Sequence, residues 1–463
     1  MNPTDDTAPG AQAAATAQRP PRPRRGDELE LRIDSLAQGG RGVARTESGF
    51  VLFVAGGLPG DVVRARVGKA KKSHAEATVV ELIETAPERI PDTCLHGEEP
   101  CPGSPWQGLP YELQLEHKAE QVREALERLG GFEGVRPEQI VPAVEQWRYR
   151  NKAEYSFGPD REAEAGLALG FHARGRWDRV VDVDDCKLAS ERNNAARNEI
   201  RAWAREHVVP AYDRVSGVGV ARNLVVREGR RTGQIHTRLV TGPGSIPKPP
   251  TDLHTVVDQD SGGTEGPTGV IGEERLREKL CGLEFDVSAT AFLQTNTETA
   301  ELLYGLAREY AGLGGGERLY DLFCGVGTIG LSMAAGAGEV WGLEIVADAI
   351  ADAEYNAELN GIDNARFRAA DARLGIRPLI EEAGRPDVVV IDPPRAGLSA
   401  KIVRRVLECE AKRIVYVSCN PTTLAPNARQ MVDDGGYRLT RVRPVDMFPQ
   451  TPHIECVALL ERE

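Results

Sequence analysis

The sequence predicts an α/β protein whose C-terminal part is a doubly wound parallel sheet, preceded by a mixed α/β region and a small β-barrel. Three observations carry this expectation. After Thr299, apolar strand candidates that end in turn residues alternate with helical stretches, and repeated βα units build a parallel sheet. Between Glu28 and Arg89, short alternating apolar segments are punctuated by glycine, the pattern of a small barrel. Finally, Tyr437–Val442 and Ile454–Leu460 are joined by a loop with no room for a helix, so they pair antiparallel.

In chain order, residues 1–26 are rich in Ala, Pro, Thr and Gln and end in Arg22-Pro23-Arg24-Arg25. Such a composition cannot bury a core and reads as a disordered tail. Residues 27–89 hold the barrel strands, Leu29–Ile33, Phe50–Val54, Val62–Val67 and Ala77–Ile83, separated by Gly39-Gly40-Arg41-Gly42 and Gly56-Gly57-Leu58-Pro59-Gly60. Residues 90–290 read as a mixed α/β domain. Helices are predicted at Gln107–Leu129 and Ala189–Val208, strands at Ala153–Phe157 and Ala168–Phe171, and a long hairpin loop at Thr241–Thr268. Residues 291–463 hold the regular sheet, with strands beginning at Arg318, Val340, Ala365, Asp387 and Arg413 before the antiparallel pair.

With 463 residues the chain has room for roughly two to four domains. No apolar run approaches the ~20 residues that span a bilayer, and the N-terminus is not a secretory signal, so a cytoplasmic protein is expected. A net charge of −13 argues against coating nucleic acid through bulk charge. Local basic clusters survive, at Arg64 to Lys72, Arg148 to Lys152 and Arg174 to Arg179, and phosphate affinity depends on such patches. Eight dispersed cysteines do not make a disulfide framework; catalysis and metal binding are their readings to test.

The chemistry gathers at the carboxyl ends of the sheet strands, where ligands bind in such folds. The first strand runs into Cys324-Gly325-Val326-Gly327-Thr328-Ile329-Gly330, a turn that brings backbone close to a ligand. Glu344 ends the next strand, placed to accept from ribose hydroxyls. This pattern alone also suits a nicotinamide cofactor. The fourth strand ends in Asp392-Pro393-Pro394-Arg395, the fifth in Ser418-Cys419-Asn420-Pro421, and Glu455 opens the last strand. Acid, thiol and acid therefore converge on one rim. A cysteine after a strand is most often a small buried hydrophobe, but its place between strand end and Pro-bearing turn favours function. Cys324, Cys281, Cys409 and Cys456 read as packing residues.

With these motifs in order, the chain resembles the uracil-5 RNA methyltransferase family over nearly its whole length. The barrel's spacing resembles a TRAM domain, an OB-like RNA-binding module. The family's Phe-x-Gln-x-Asn segment is matched by Phe292-Leu293-Gln294-Thr295-Asn296, and Arg150-Asn151-Lys152-Ala153-Glu154 resembles another family segment. The resemblance implies a Rossmann-like methyltransferase domain with an antiparallel terminal pair. It implies that Gln294, Phe323, Thr328, Glu344, Asp371 and Asp392 line a pocket for S-adenosylmethionine, that Cys419 is the nucleophile and that Glu455 is the base. The residue types suit the chemistry, because carbon 5 of uracil is a weak nucleophile until a thiolate adds to carbon 6. The proton on carbon 5 must then leave, and a carboxylate suits that task. A stacked base does not reach such a site, so the target is unpaired or flipped out.

Family members with a TRAM domain often hold a 4Fe–4S cluster, and Cys94, Cys101 and Cys186 match three of its ligands. Ser104 stands where the remaining cysteine is expected, and a serine oxygen is a poorer iron ligand. The alternative is a structural knot without metal. The expected partner is RNA, ribosomal (23S) rather than transfer RNA, with no membrane contact and a monomeric state. A cytosine-5 enzyme is disfavoured because Pro393-Pro394 occupies the place of that group's Pro-Cys. A non-catalytic RNA-binding or folding factor is disfavoured by the intact Gln294, Glu344, Asp392, Cys419 and Glu455.

Overall fold

A computed structural model describes residues 22–96, 99–160, 166–173, 175–250, 254–258 and 269–462. The chain forms two compact units, one ending at Arg89 and the other spanning Ile90–Glu463.

In the first unit, Glu28–Leu36 pairs antiparallel with both Gly42–Arg45 and Val62–Ala70, and with Val51–Ala55 and His74–Glu84 the five strands close into a barrel. Alternation puts Leu31, Ile33, Leu52, Val54, Val63 and Val67 inside, as a period of two requires. The glycine run was expected only as a turn, yet Gly42–Arg45 forms the barrel's second strand. Gly42 fits because a Cβ there would meet Ile33 at 2.8 Å. The end of the expected disordered tail is also corrected. Residues 22–26 are ordered, with Arg24 N donating to Asp27 Oδ2 at 2.7 Å and Gly26 N to Val67 O at 2.8 Å. Gly26 adopts φ +94°, which turns the chain onto the barrel edge. Residues 1–21 lie outside the described residues.

The second unit holds two seven-stranded sheets. In the middle region the order is Val180–Asp182, Leu167–His172, Lys152–Pro159, Ala221–Glu228, Ile235–Thr241, His254–Asp258, Gly269–Ile271. Helix Glu191–Glu206, capped by Ser190, buries Ile200 and Trp203 against Leu224, Val226 and Leu239 on one sheet face. The stretch expected as a long hairpin loop contains a strand, since His254–Asp258 pairs parallel to Ile235–Thr241. Parallel pairing demands a crossover rather than a hairpin. The rest of residues 251–268 lies outside the described residues.

The C-terminal sheet runs Ala365–Ala369, Glu339–Glu344, Arg318–Leu322, Val388–Ile391, Arg413–Ser418, Glu455–Arg462, Tyr437–Val445. The first five are parallel and the last two antiparallel to their neighbours. Val388, Val389, Val390 and Ile391 are all fully buried, as a strand covered on both faces must be. Helix Tyr111–Arg128 precedes the middle sheet in sequence but packs Val122, Ala125 and Leu126 into the C-terminal core, beside Leu424, Ala425 and Tyr437. The hairpin Leu276–Leu280 with Leu283–Val287 likewise bonds across to helix Ala347–Leu359, Asp286 N donating to Asn356 Oδ1 at 2.8 Å. Middle region and C-terminal sheet are thus one packed body. No helix among the described residues is long and apolar enough to cross a membrane.

Candidate active site

Strand register builds the rim. Ile391 pairs with Tyr416, and Ser418 pairs with Cys456. The next step along two antiparallel strands sets Cys419 opposite Glu455, and Asp392 ends the adjoining strand. Cys456 turns the other way into the apolar core with Ile454, the alternation that frees Glu455 for the rim. Cys419 is half-buried and Glu455 buried. Burial, then the carboxylates of Glu455 and Asp392, push the Cys419 thiol up to about 11, against the pull of Arg395. Burial and Asp392 push Glu455 well above the usual carboxylate range, again opposed by Arg395. Burial thus disfavours the charged form of each, and the two are close enough to feel each other's charge. That is the coupling expected of a catalytic pair, though buried structural groups share it.

Arg395 and His453 complete this rim, and the sequence assigned neither of them work. Arg395 Nη2 lies 2.9 Å from His453 Nδ1, and Asn420 Nδ2 donates to Arg395 O at 3.0 Å. Burial and the charges of Arg395, Arg150 and Lys118 drop His453 to about 4, so its ring is neutral and accepts from the guanidinium. The available signal was adjacency: Arg395 follows Asp392-Pro393-Pro394, and His453 stands two residues before Glu455.

Three of the expected cofactor residues, Phe323, Thr328 and Glu344, gather at the glycine turn. Phe323, half-buried, holds φ +66°, a region a bulky side chain rarely enters, and its N–H is tied to Leu343 O at 2.8 Å. Gly327 at φ +83° then starts the short helix Thr328–Met333. Glu344 accepts from Gly325 N at 3.3 Å, Ile345 N at 2.7 Å and Val346 N at 3.0 Å, which fixes its carboxylate beside the turn. Thr328 Oγ1 meets Tyr304 Oη at 3.2 Å. Asp371 caps helix Ala372–Ala383 through Arg373 N at 2.7 Å, a structural duty the sequence reading did not foresee.

Gln294 is positioned by a tie between the two segments that carry the family resemblance. Asn151 Nδ2 donates to Gln294 O at 2.9 Å and to Thr297 Oγ1 at 2.8 Å, and Asn151 N donates to Thr295 O at 2.9 Å. Asn296 caps helix Thr297–Ala311 and reaches Met447 O at 3.0 Å. That carbonyl belongs to the loop leading to Glu455. The same loop is gripped from helix Tyr111–Arg128: Lys118 Nζ bonds Asp446 Oδ1 at 2.6 Å, and Gln114 and Gln450 exchange bonds at 2.8 and 2.9 Å. These ties allow Gln450 its φ of +67°.

Asp321, on the first strand, is a buried acid the sequence reading passed over. One oxygen accepts from Gly330 N at 2.8 Å while the other has no partner. Burial raises it from its ordinary 3.8 to about 7. Because the folded pKa exceeds the unfolded one, its stabilising contribution is complete below 3.8 and is lost as pH rises through 7. Thermal midpoints measured across that window are expected to fall less steeply for Asp321→Asn than for the parent. Parallel curves would refute a role for this group.

A Rossmann-like sheet with a 3-2-1-4-5-7-6 strand order and an acid, Glu344, fixed beside a glycine turn defines the class as an S-adenosylmethionine-dependent methyltransferase. Residues 273–463 match the tRNA (uracil-5-)-methyltransferase family and residues 22–80 the TRAM domain. An uncharacterized RNA methyltransferase of Halalkalibacterium halodurans is 37% identical over 94% of this chain and 97% of its own. One from Caldanaerobacter subterraneus is 38% identical over 95% and 99%. The crystal structure of Pyrococcus abyssi tRNA (uracil-54, C5)-methyltransferase in complex with S-adenosyl-L-homocysteine superimposes with a TM-score of 0.75 at 28% identity, covering 93% of this chain and all of that one. The chain belongs to the RNA uracil-5 methyltransferase family.

Proposed function

We propose that this enzyme methylates carbon 5 of one uridine through a covalent bond between Cys419 and carbon 6, with Glu455 as the base. The observation that carries this is the register that sets Cys419 against Glu455 with Asp392 on the same rim. S-adenosylmethionine supplies an electrophilic methyl group, and Gln294, Phe323, Thr328, Glu344, Asp371 and Asp392 are the residues assigned to hold it. Cys419 loses its proton to water at its exposed face, and its sulfur bonds to carbon 6. The electrons of the carbon 5–carbon 6 double bond move to the ring carbonyl as an enolate, so carbon 5 can take the methyl. Glu455, ionised, removes the proton from carbon 5. That bonding pair restores the double bond and expels the sulfur. Arg395 favours the negative charge that must form on both residues.

RNA as the substrate is supported by a groove of about 580 Å³ on the middle sheet, on the face away from helix Glu191–Glu206. Lys152, Arg214, Arg222, Arg227 and Arg238 line it, together with the one acid Glu154 and with Trp177. Arg227 pairs directly across the strands from Lys152, an arrangement that repels unless an anion sits between the charges. Burial and Arg238 lower Arg227 to about 10, and burial with Arg227 and Arg238 lowers Lys152. A phosphate backbone relieves that crowding, and Trp177, 62% exposed, offers a stacking face. The proposed division of labour is a TRAM module at 27–89, an RNA-holding region at 90–290 and the methyltransferase domain at 291–463.

The sequence expectation of 23S ribosomal RNA stands as our first target. Transfer RNA is the second reading, favoured by the substrate of the Pyrococcus abyssi neighbour. Mapping 5-methyluridine in ribosomal and transfer RNA from a strain lacking the gene decides between them. Mechanistically, Glu455→Gln is expected to accumulate a covalent adduct on unmodified RNA, visible as a denaturation-resistant band, because proton removal stalls. Normal release of methylated product from that variant excludes Glu455 as the base.

A further inference from the structure

The thiols matched to an iron–sulfur cluster are arranged for a different metal. The short hairpin at Leu95–His96 brings His96 between Cys94 and Cys101, and one ligand atom from each of the three lies within 4.8 Å of the other two. Cys186 stands outside that 4.8 Å group but within electrostatic reach of Cys94 and Cys101, and all three cysteines are buried. A tetrahedral zinc with Zn–S of about 2.3 Å and Zn–N of about 2.0 Å holds its ligand atoms roughly 3.5–4 Å apart. A four-iron cluster interposes whole iron–sulfide edges between its outer ligands and needs a wider spread and a fourth thiolate. Ser104 occupies the position of that fourth thiolate, and the donors of Cys94, His96 and Cys101 are drawn closer than a cluster's outer ligands. The 4Fe–4S group therefore does not fit these residues.

Polar groups surround the three sulfurs. Backbone N–H groups are directed at each sulfur: Lys187 at Cys94, Gly103 at Cys101, Leu188 and Ala189 at Cys186. Such donors hold a sulfur in place, as the outer bonds of a metal centre do. Ser104 Oγ is fully buried beside Cys101 and has no oxygen or nitrogen partner, so its best acceptor is that sulfur. Gln107 pins the peptide of Cys94 from both sides, at 2.7 and 2.9 Å. His96 stacks on Phe171 with ring centroids 6.4 Å apart, which fixes its ring plane.

We propose that Cys94, His96 and Cys101 hold one structural zinc ion on which Cys186 closes as the fourth ligand, a Cys₃His site with His96 taking the place that a fourth cysteine fills in iron–sulfur relatives. The ion ties the segment before helix Tyr111–Arg128 to the loop at Cys186, which leads into helix Glu191–Glu206. The full chain, expressed with both iron and zinc supplied and purified without oxygen or chelator, is expected to carry about one zinc and no acid-labile sulfide. Replacement by cobalt(II) is expected to give the intense visible bands of a tetrahedral thiolate site. In competition with a chromophoric chelator, His96→Ala is expected to bind zinc at least about 100-fold more weakly, while Ser104→Ala keeps near-parental affinity. His96→Cys, a ligand replacement, guards against a variant that merely fails to fold, and is expected to restore zinc binding. Stoichiometric iron and sulfide in the parent overturns the proposal. So does a parent free of metal, or zinc affinity unchanged in His96→Ala. None of these outcomes bears on the methyl-transfer reading, which is tested by the RNA adduct.

Discussion

Replacing Cys419 with alanine is expected to lower methyl transfer by about 10⁴-fold or more, the scale on which removal of a covalent nucleophile acts. The loss should fall on turnover and leave RNA affinity nearly intact, since the basic groove that includes Lys152, Arg227 and Arg238 is untouched. Single-turnover rates with a methyl-labelled donor measure the effect. RNA containing 5-fluorouracil gives the sharper test, because fluorine at carbon 5 cannot leave as a proton and the enzyme stays attached. The parent should form a denaturation-resistant adduct and Cys419→Ala none. Neighbouring thiols offer no rescue: Cys324 and Cys456 are buried, and burial pushes both thiols well above the ordinary range. An adduct that forms as readily on Cys419→Ala would remove Cys419 from the mechanism.

Lys118→Ala is expected to be the most damaging change away from the rim. Lys118 and Asp446 are both fully buried and 2.6 Å apart, and Lys118 also donates to Phe448 O at 3.0 Å. Removing one partner of a buried pair leaves the other charge uncompensated, at a cost of roughly 3–5 kcal/mol. Chemical denaturation of the full chain should show a loss of that size. Because Asp446 opens the loop that ends in Glu455, turnover should also drop in the fraction that stays folded. The double variant Lys118→Met with Asp446→Leu is expected to regain most of the stability, since an apolar pair of similar volume carries no stranded charge. Recovery of stability without recovery of turnover would separate the loop's positioning role from the fold's cohesion. A stability loss below about 1 kcal/mol for Lys118→Ala would show that water reaches Asp446.

The strands of the C-terminal sheet and its antiparallel end were legible because their signals are local. Apolar runs such as Val388–Ile391 end in turn residues, helices fill the gaps, and the short link before Glu455 forces antiparallel pairing. The rim followed from the same logic, because residues that end neighbouring strands must meet: Asp392, Cys419 and Glu455 were placed by counting strands. The barrel was legible through its period of two, but Gly42–Arg45 was hidden because a strand of four residues opening on glycine has little apolar signature.

By itself, then, the sequence determined the layered architecture, the glycine turn with Glu344 and the acid–thiol–acid rim around Cys419. Periodicity and strand-end chemistry express themselves over a few residues. Only the tertiary structure decided what holds that rim in place and what the other thiols can bind. Lys118 with Asp446, Gln114 with Gln450 and Asn151 with Gln294 are single polar contacts between residues 143 to 336 positions apart. Such contacts leave no period to read. His96 looked like any histidine near a turn until folding set it between Cys94 and Cys101. A ligand set is defined by the positions of donor atoms in space, and sequence spacing constrains those positions only where the chain is short and regular.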